Sequence, residues 1–498
     1  MARRERGGAG PQVGAPCPYN LPLSLIVQGV RPETRCVIHP AVPAVYWGTY
    51  MRPVSARRAL RRVGTCVAAA AGLLSAGFAT PAFADEPQTD RLWINVPYEQ
   101  ALPLGTDGGD PESRSLGLGL SHDNDTFTVT DGKVTVDVSG LAGVAEVTWP
   151  ENCAPSGTSA VCDVPEVPVT GPDYHHQIHL TLRAADGAAA GASGRITYEA
   201  SATGGPAGTL TAPHDSFDTT VTVGSGPDLA IADIPPIVTA EPGADVTVPF
   251  RLTNKGNASA DGFTVRLMAS YGLEELTAYD ACTYTRSSGD EEAPMTYATC
   301  SFDRVLAPGE SFELPAPLKA RLAAHALNER LDISVEPGGG TEDIDSYDNY
   351  VALEIHADNT ADFSVTGDAV SGAQGETVTS RLTFKNNGPA WLGNLGSGDP
   401  VADVRLIVPA GTTVTGAPSD CTPHTLSGGY YPRRTGAPRY DCALPYWVLE
   451  DTERSYDFSV RIDTVVPGAT GAVSIHPEWG EFAFDPDTTN NKAVLAVN

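Results

Sequence analysis

Apolar and polar residues alternate with a period of two through much of this chain. The alternation is cleanest in two related stretches, residues 247–258 (TVPFRLTNKGNA) and 379–390 (TSRLTFKNNGPA). Val246, Val248 and Phe250 fall on one side of the first run, and Leu382 and Phe384 on one side of the second. A period of two marks half-buried strands, with one face on a core and the other in water. Each run ends in a turn, Asn254-Lys255-Gly256 in one and Asn386-Asn387-Gly388-Pro389 in the other. Two copies of such a unit predict a repeat, and a repeat governs how every other segment is read.

The flanking segments repeat as well. The pattern resets with small and polar residues at 224–228 and at 356–362, and each reset leads into a similar strand, DLAIAD at 228–233 and ADFSVT at 361–366. A turn follows (241–245; 372–376), then the alternating run, then another strand (263–267; 404–408). A cysteine, a variable loop and a second cysteine come next. Both copies close alike, with DSYDNYVALEI at 345–355 and DTTNNKAVLAV at 487–497. Residues 85–224 form a weaker copy, in which DSFDTTVTV at 215–223 supplies the closing strand and HDND at 122–125 replaces the Asn-x-Gly turn. About seven short strands per unit of roughly 130 residues fit an all-β fold of two-sheet sandwiches. The chain has 498 residues, more than one core of about 250–300 residues supports. The expected domains are therefore 85–224, 225–357 and 358–498.

The first 84 residues read differently. Residues 1–50 show no periodicity and are expected to be a mis-assigned start or an unstructured leader. From Met51 the three parts of a signal peptide follow, expected to span 51–84. Arg52, Arg57, Arg58, Arg61 and Arg62 form the charged part, and residues 67–79 an apolar stretch too short to span a bilayer comfortably. Ala82-Phe83-Ala84 then offers a cleavage site before Asp85. Arg57-Arg58 lacks the Phe-Leu expected of twin-arginine export, so the general pathway is favoured. The mature chain is expected to be secreted, with no membrane span after cleavage. It carries 22 basic and 59 acidic residues, a net charge of −37, which repels phosphate backbones and argues against nucleic acid as a partner.

Six of the nine cysteines lie in the mature chain, as Cys153/Cys162, Cys282/Cys300 and Cys421/Cys442. Closely spaced pairs read as disulfides formed in an oxidising compartment. Zinc is the competing reading, but no pair has CxxC spacing and no histidine stands at finger distance.

The Asn-x-Gly turn after an alternating strand, the cysteine pair and the closing Asp-x-x-x-Asn strand resemble the immunoglobulin-like repeats of bacterial secreted and cell-surface proteins. These are the repeats called conserved-repeat or cell-adhesion-related domains. The resemblance is clearer over 225–498 than over 85–224. It implies a tandem array of three immunoglobulin-like β-sandwich domains behind a signal peptide, in a structural or adhesive role with no catalytic residues to carry over. Many such proteins end in a wall-sorting motif or hydrophobic tail. This sequence ends VLAVN at 494–498, so covalent wall attachment by that route is not expected.

Candidate chemistry is sparse. His175, His176 and His179 sit in YHHQIH; if that segment is a strand, His175 and His179 share a face about 13 Å apart and His176 points away, which defeats a metal site. Ser121-His122-Asp123 holds the residue types of a hydrolytic triad, but consecutive residues cannot point at one another. Paired carboxylates for glycoside hydrolysis need no local motif, so a secreted hydrolase in the divergent first domain is the alternative function. Hard oxygen ligands suit calcium. Asp343, Asp345 and Asp348 (with Asn349), and Asp485, Asp487 and Asn490 (with Asn491), cluster before closing strands, so a calcium-stiffened rod is a second alternative. Against it, Asp and Asn also bond their own backbone in turns, and no other cofactor is expected. The loop between Cys421 and Cys442 holds Tyr430, Tyr431, Tyr440, Arg433, Arg434 and Arg439, residue types enriched at binding hot spots. An extracellular protein or glycan is the expected partner. Self-association through the acidic loop at Asp290, Glu291 and Glu292 is the other arrangement considered, and a solvated loop held by its disulfide is the plain one.

Overall fold

The computed structural model describes residues 89–498, apart from 172–174, 213–216, 236, 288–291 and 478–481. The expected leader (1–50) and signal peptide (51–84), with Cys17, Cys36 and Cys66, lie outside the described residues, as do Tyr174, Asp215, Asp290 and Glu291.

The fold is all-β, and three sets of sheets follow one another along the chain. In the first, a four-stranded sheet in the order Leu92–Asn95, Arg114–His122, Ile178–Ala184, Ala145–Thr148 shares its core with a seven-stranded sheet. The larger sheet runs Glu99–Pro103, Asp218–Gly224, Ser193–Thr203, Val129–Asp137, Ser159–Val167, Cys153–Ser156, with Thr209–Ala212 paired to Ser193–Thr203. The middle set has a six-stranded sheet and two three-stranded ones, and the last set sheets of six, four and two strands. Leu116, Leu118 and Tyr198 anchor the first core, Phe263, Val265 and Ile333 the second, and Phe384, Tyr456 and Phe458 the third.

Each set is closed in the same way. The opening strand pairs within the smaller sheet, and the chain then crosses to lie parallel to the closing strand in the larger one. Glu99–Pro103 pairs thus with Asp218–Gly224, Ile237–Ala240 with Tyr350–Ala357, and Asp368–Val370 with Lys492–Val497.

The alternating runs behave as their patterns require. Val246, Val248 and Phe250 are buried, as are Leu382 and Phe384. The two runs nevertheless differ: residues 377–389 form one strand, Thr377–Pro389, whereas the middle copy breaks into Asp245–Val248 and Arg251–Asn254. Pro249 explains the break, because it has no N–H to give a ladder. The two pieces join different three-stranded sheets.

The asparagine that opens each turn is a buried clamp. Asn254 donates to Ala258 O and Leu306 O (2.8 Å each) and accepts from the N–H groups of Asp228 (3.1 Å) and Gly256 (3.0 Å). Asn386 repeats the pattern with Ala390 O (2.9 Å), Leu449 O (3.0 Å) and Gly388 N–H (2.9 Å). An amide carries two donors and an acceptor on one short stem, so it satisfies a turn that no water reaches. In the first set His122 occupies this place, 1% exposed, and its Nδ1 lies 3.1 Å from Asp90 Oδ2.

The sheet sets are tied to one another. Arg114 of the first donates to Asp228 Oδ2 (2.5 Å) and Lys255 O (2.9 Å) of the second. The second and third share a small core of Ala293, Met295 and Trp391, with Tyr271, Tyr446 and Leu449 packed around it. At its edge Glu329, 2% exposed, accepts four hydrogen bonds: from Trp391 Nε1 (2.7 Å), Ser270 Oγ (2.5 Å), Gly272 N–H (2.8 Å) and Leu327 N–H (3.1 Å). A buried carboxylate is tolerated only when its lone pairs are filled in this way. Leu327, from a loop of the middle set, joins the third core, and Trp391 N–H donates to His325 O (3.1 Å) in the same loop.

Candidate functional site

The strands that carry each cysteine pair are antiparallel neighbours, and the cysteines stand directly opposite one another. Three disulfides result, Cys153–Cys162, Cys282–Cys300 and Cys421–Cys442, with Cα–Cα distances of 3.9, 3.9 and 3.8 Å. Each therefore staples a hairpin at its base and fixes the loop beyond it.

The longest of these loops, 425–438, separates the singled-out residues into two groups. Tyr440 is part of the core: it is 0% exposed, its ring meets Phe458 edge-on at 5.5 Å, and its hydroxyl accepts from Ala437 N–H and donates to Arg434 O (3.2 Å each). Arg439 is already paired. Its Nε donates to Asp441 Oδ1 (2.9 Å), which also takes Arg405 Nε (2.9 Å). Burial alone would raise the Asp441 carboxyl, but hydrogen bonds and charge from Arg439 and Arg405 outweigh it and hold the group below its ordinary range. Tyr440 and Arg439 are thus corrected from partner-binding to structural residues. Both lie on the strand Arg439–Ala443, where alternation sends the tyrosine inward.

The other group faces solvent. Tyr430 is 80% exposed and Leu426, which its sequence context did not single out, 64%. Arg433 lies 5.9 Å from the centre of the half-buried Tyr431 ring, a cation–π contact that keeps the guanidinium outward. Arg434 is exposed and hydrogen-bonded to Pro418 O. The tip is an ordered turn. Thr425 N–H donates to Gly429 O (2.8 Å), Gly429 N–H to Thr425 Oγ1 (2.9 Å), and His424 bridges Tyr430. Gly428 holds φ +89° there, a conformation side chains resist.

In the corresponding middle loop Ala293 is buried, and its N–H donates to Tyr446 OH (2.9 Å) of the third set, so the base of that loop is engaged within the molecule. Glu292 is exposed.

The Asp/Asn clusters are organised as turns. Asp343 accepts from Leu229 N–H (2.8 Å) and Asp345 N–H (3.1 Å), and Asp345 from Tyr347 N–H (3.1 Å). Asp485 accepts from Asp487 N–H (3.0 Å) and Asn491 Nδ2 (2.8 Å), and Asp487 from Thr489 N–H (3.1 Å). Asp348 is paired with Lys255 Nζ (3.0 Å), and Asn490 Nδ2 donates to Asp362 Oδ1 (2.8 Å). Among the described residues no group of three or more His, Cys, Asp or Glu is preassembled to hold a metal ion.

Ser121 and His122 of the first set are both buried. His122 is turned to Asp90 and is 1% exposed, while Ser121, 0% exposed, shares hydrogen bonds of 2.9 Å with Asn95 Nδ2 and Thr170 Oγ1. The histidine segment also departs from expectation. The strand begins at Ile178, so His175 and His176 precede it, and His176 does not face away from His179: their ring centres are 6.4 Å apart.

No known protein family matches the chain. No curated protein does either. Among solved structures, the C-terminal domain of the antigen I/II polypeptide BspA of Streptococcus agalactiae is 10% identical, covering 55% of this chain and 100% of that one at a TM-score of 0.18. A membrane-anchored protein of Corynebacterium diphtheriae is 9% identical over 81% of this chain and 91% of that one, with a TM-score of 0.16. Trypsin-activated alpha-2-macroglobulin of Escherichia coli is 15% identical over 68% and 21% at 0.21. Likeness this loose carries no argument, and the fold rests on the strand pairing itself.

Proposed function

We propose that the chain is an exported, non-catalytic binding protein whose tandem sandwiches, bounded at 85–224, 225–357 and 358–498, hold a recognition loop on a stiff array. The observation that carries this reading is the turn at 425–434. Leu426 and Tyr430 stand out from a disulfide-stapled hairpin with Arg433 and Arg434 beside them. An exposed aromatic ring with arginine forks suits an extracellular partner that offers flat rings or carboxylates, as an anionic glycan or protein surface does. Rigidity of the loop lowers the ordering cost of binding. Three disulfides favour an oxidising compartment outside the cytosol. Burial of Ser121 and His122 supports binding over hydrolysis as the role of the first sandwich.

The test is a pull-down of the producing cell's envelope fraction on the immobilised full chain. A Leu426→Ser/Tyr430→Ser/Arg433→Ser variant should retain far less material at an unchanged melting temperature. Equal retention would remove the loop from the account. Turnover of glycosidase, esterase or peptidase substrates that is lost on changing a carboxylate of 85–224 would replace binding by catalysis.

A further inference from the structure

The outer face of the first four-stranded sheet carries a gap that two imidazoles fill. Gly117 on Arg114–His122 stands directly opposite His179 on Ile178–Ala184. A side chain at 117 would collide with a neighbour, since a Cβ there would lie 2.4 Å from His176 Nδ1. The bare glycine thus lets the segment before the strand lay His176 over residue 117, beside His179. Their rings have centres 6.4 Å apart and planes at 80°. His175, the adjacent residue, is exposed.

We propose that His176 and His179, joined by His175, form a surface site for one late divalent transition metal of the zinc or copper(II) class. With metal–nitrogen bonds of about 2.0–2.1 Å, two imidazoles on one ion place their ring centres roughly 5–6.5 Å apart. The observed spacing therefore needs only small side-chain rotations to close on a common ion. Imidazole nitrogen suits this class of metal, whereas calcium and magnesium select oxygen. Neutral imidazole is the ligating form. The pair is assembled before the metal arrives, and the third ligand is the residue next to His176, ahead of the strand that begins at Ile178.

Titration of the full chain with zinc, followed calorimetrically, and with copper(II), followed by electron paramagnetic resonance, tests the site. One equivalent is expected, with nitrogen hyperfine structure from at least two imidazoles on copper. His176→Ala and His179→Ala should each weaken binding on the order of tenfold or more, with the melting temperature of the apo-protein unchanged. His356→Ala, at an exposed histidine outside this face, should leave binding as it was. No binding by the native chain, or an affinity unchanged in either the 176 or the 179 variant, would overturn the proposal. Unchanged affinity in His175→Ala would overturn its part as third ligand.

Discussion

Asp348→Asn should stabilise the protein at pH 8 and do little at pH 5. The reason lies in two equivalent positions that carry different residues. In the third set of sheets Asn490 Nδ2 donates to Asp362 Oδ1 at 2.8 Å. In the second, Asp348 stands where Asn490 does and Asp228 where Asp362 does. Asp228 Oδ1 and Asp348 Oδ1 are both buried without a hydrogen-bond partner, and the charge of Asp348 acts on Asp228. Only a proton held between them restores the bond that the amide makes. Burial first, and then the charge of Asp348, push the Asp228 carboxyl up to about 7, against the pull of Arg114; Asp343 and Asp345 add to the rise. The Asp348 carboxyl is raised as well, chiefly by burial, against the pull of Lys255.

A folded-state value above the unfolded one means that the associated stability is complete below about pH 4. It is lost as pH rises to about 7. The whole rise, from 3.8 to about 7, corresponds to about 4 kcal/mol. Burial survives the substitution, so the share due to Asp348 is about 1–2 kcal/mol. Losing the half-exposed Lys255 pair takes back up to about 1 kcal/mol. The net gain at pH 8 is about 1 kcal/mol, roughly 3–5 °C in the transition of the middle sandwich, shrinking towards zero at pH 5. Differential scanning calorimetry at the two pH values reads both numbers. Asn490→Asp supplies the reciprocal case, a loss at pH 8 that pH 5 repairs. Equal shifts at both pH values for Asp348→Asn, or a neutral Asn490→Asp at pH 8, would refute the shared proton.

Other consequences are as direct. Trp391→Ala, which empties the small core between the second and third sets of sheets, should cost about 3–5 kcal/mol and broaden the distance distribution between spin labels at residues 305 and 426; an unchanged narrow distribution would show that the junction holds without it. Non-reducing peptide mapping should find Cys153–Cys162, Cys282–Cys300 and Cys421–Cys442, and opening any one should cost about 3 kcal/mol; a bridge between sandwiches would contradict the pairing. Because the Asp/Asn clusters hydrogen-bond their own turns, and Arg114 and Lys255 already offset part of the charge of the middle one, millimolar calcium should leave the melting temperature where chelator leaves it. A rise would restore the calcium-stiffened rod.

The sequence made the repeat legible because period-two runs, turn residues and cysteine spacing are local signals. Asn254 and Asn386 stood out for the same reason, although their role as buried clamps appears only when Leu306 and Leu449 arrive from distant parts of the chain. What stayed hidden depends on long-range placement. Asp90 meets His122 across the sheet. Trp391 is consumed by a junction between the second and third sets of sheets. Pro249 was readable as a breaker, yet nothing nearby said that the two halves join different sheets. The loop 421–442 looked uniformly basic and aromatic, and only strand direction sent Tyr440 inward and paired Arg439 with Asp441. For the histidines, the sequence suggested extended backbone where the strand had not yet begun.

The central claim, that a stapled loop on a stiff array of sandwiches does the binding, is tested most directly by hydroxyl-radical footprinting of the full chain with and without envelope material. Protection is predicted at Leu426 and Tyr430, with exposed Tyr98 and Tyr347 on the other sandwiches modified as before. Protection at those distant tyrosines with Leu426 and Tyr430 still reactive would contradict it.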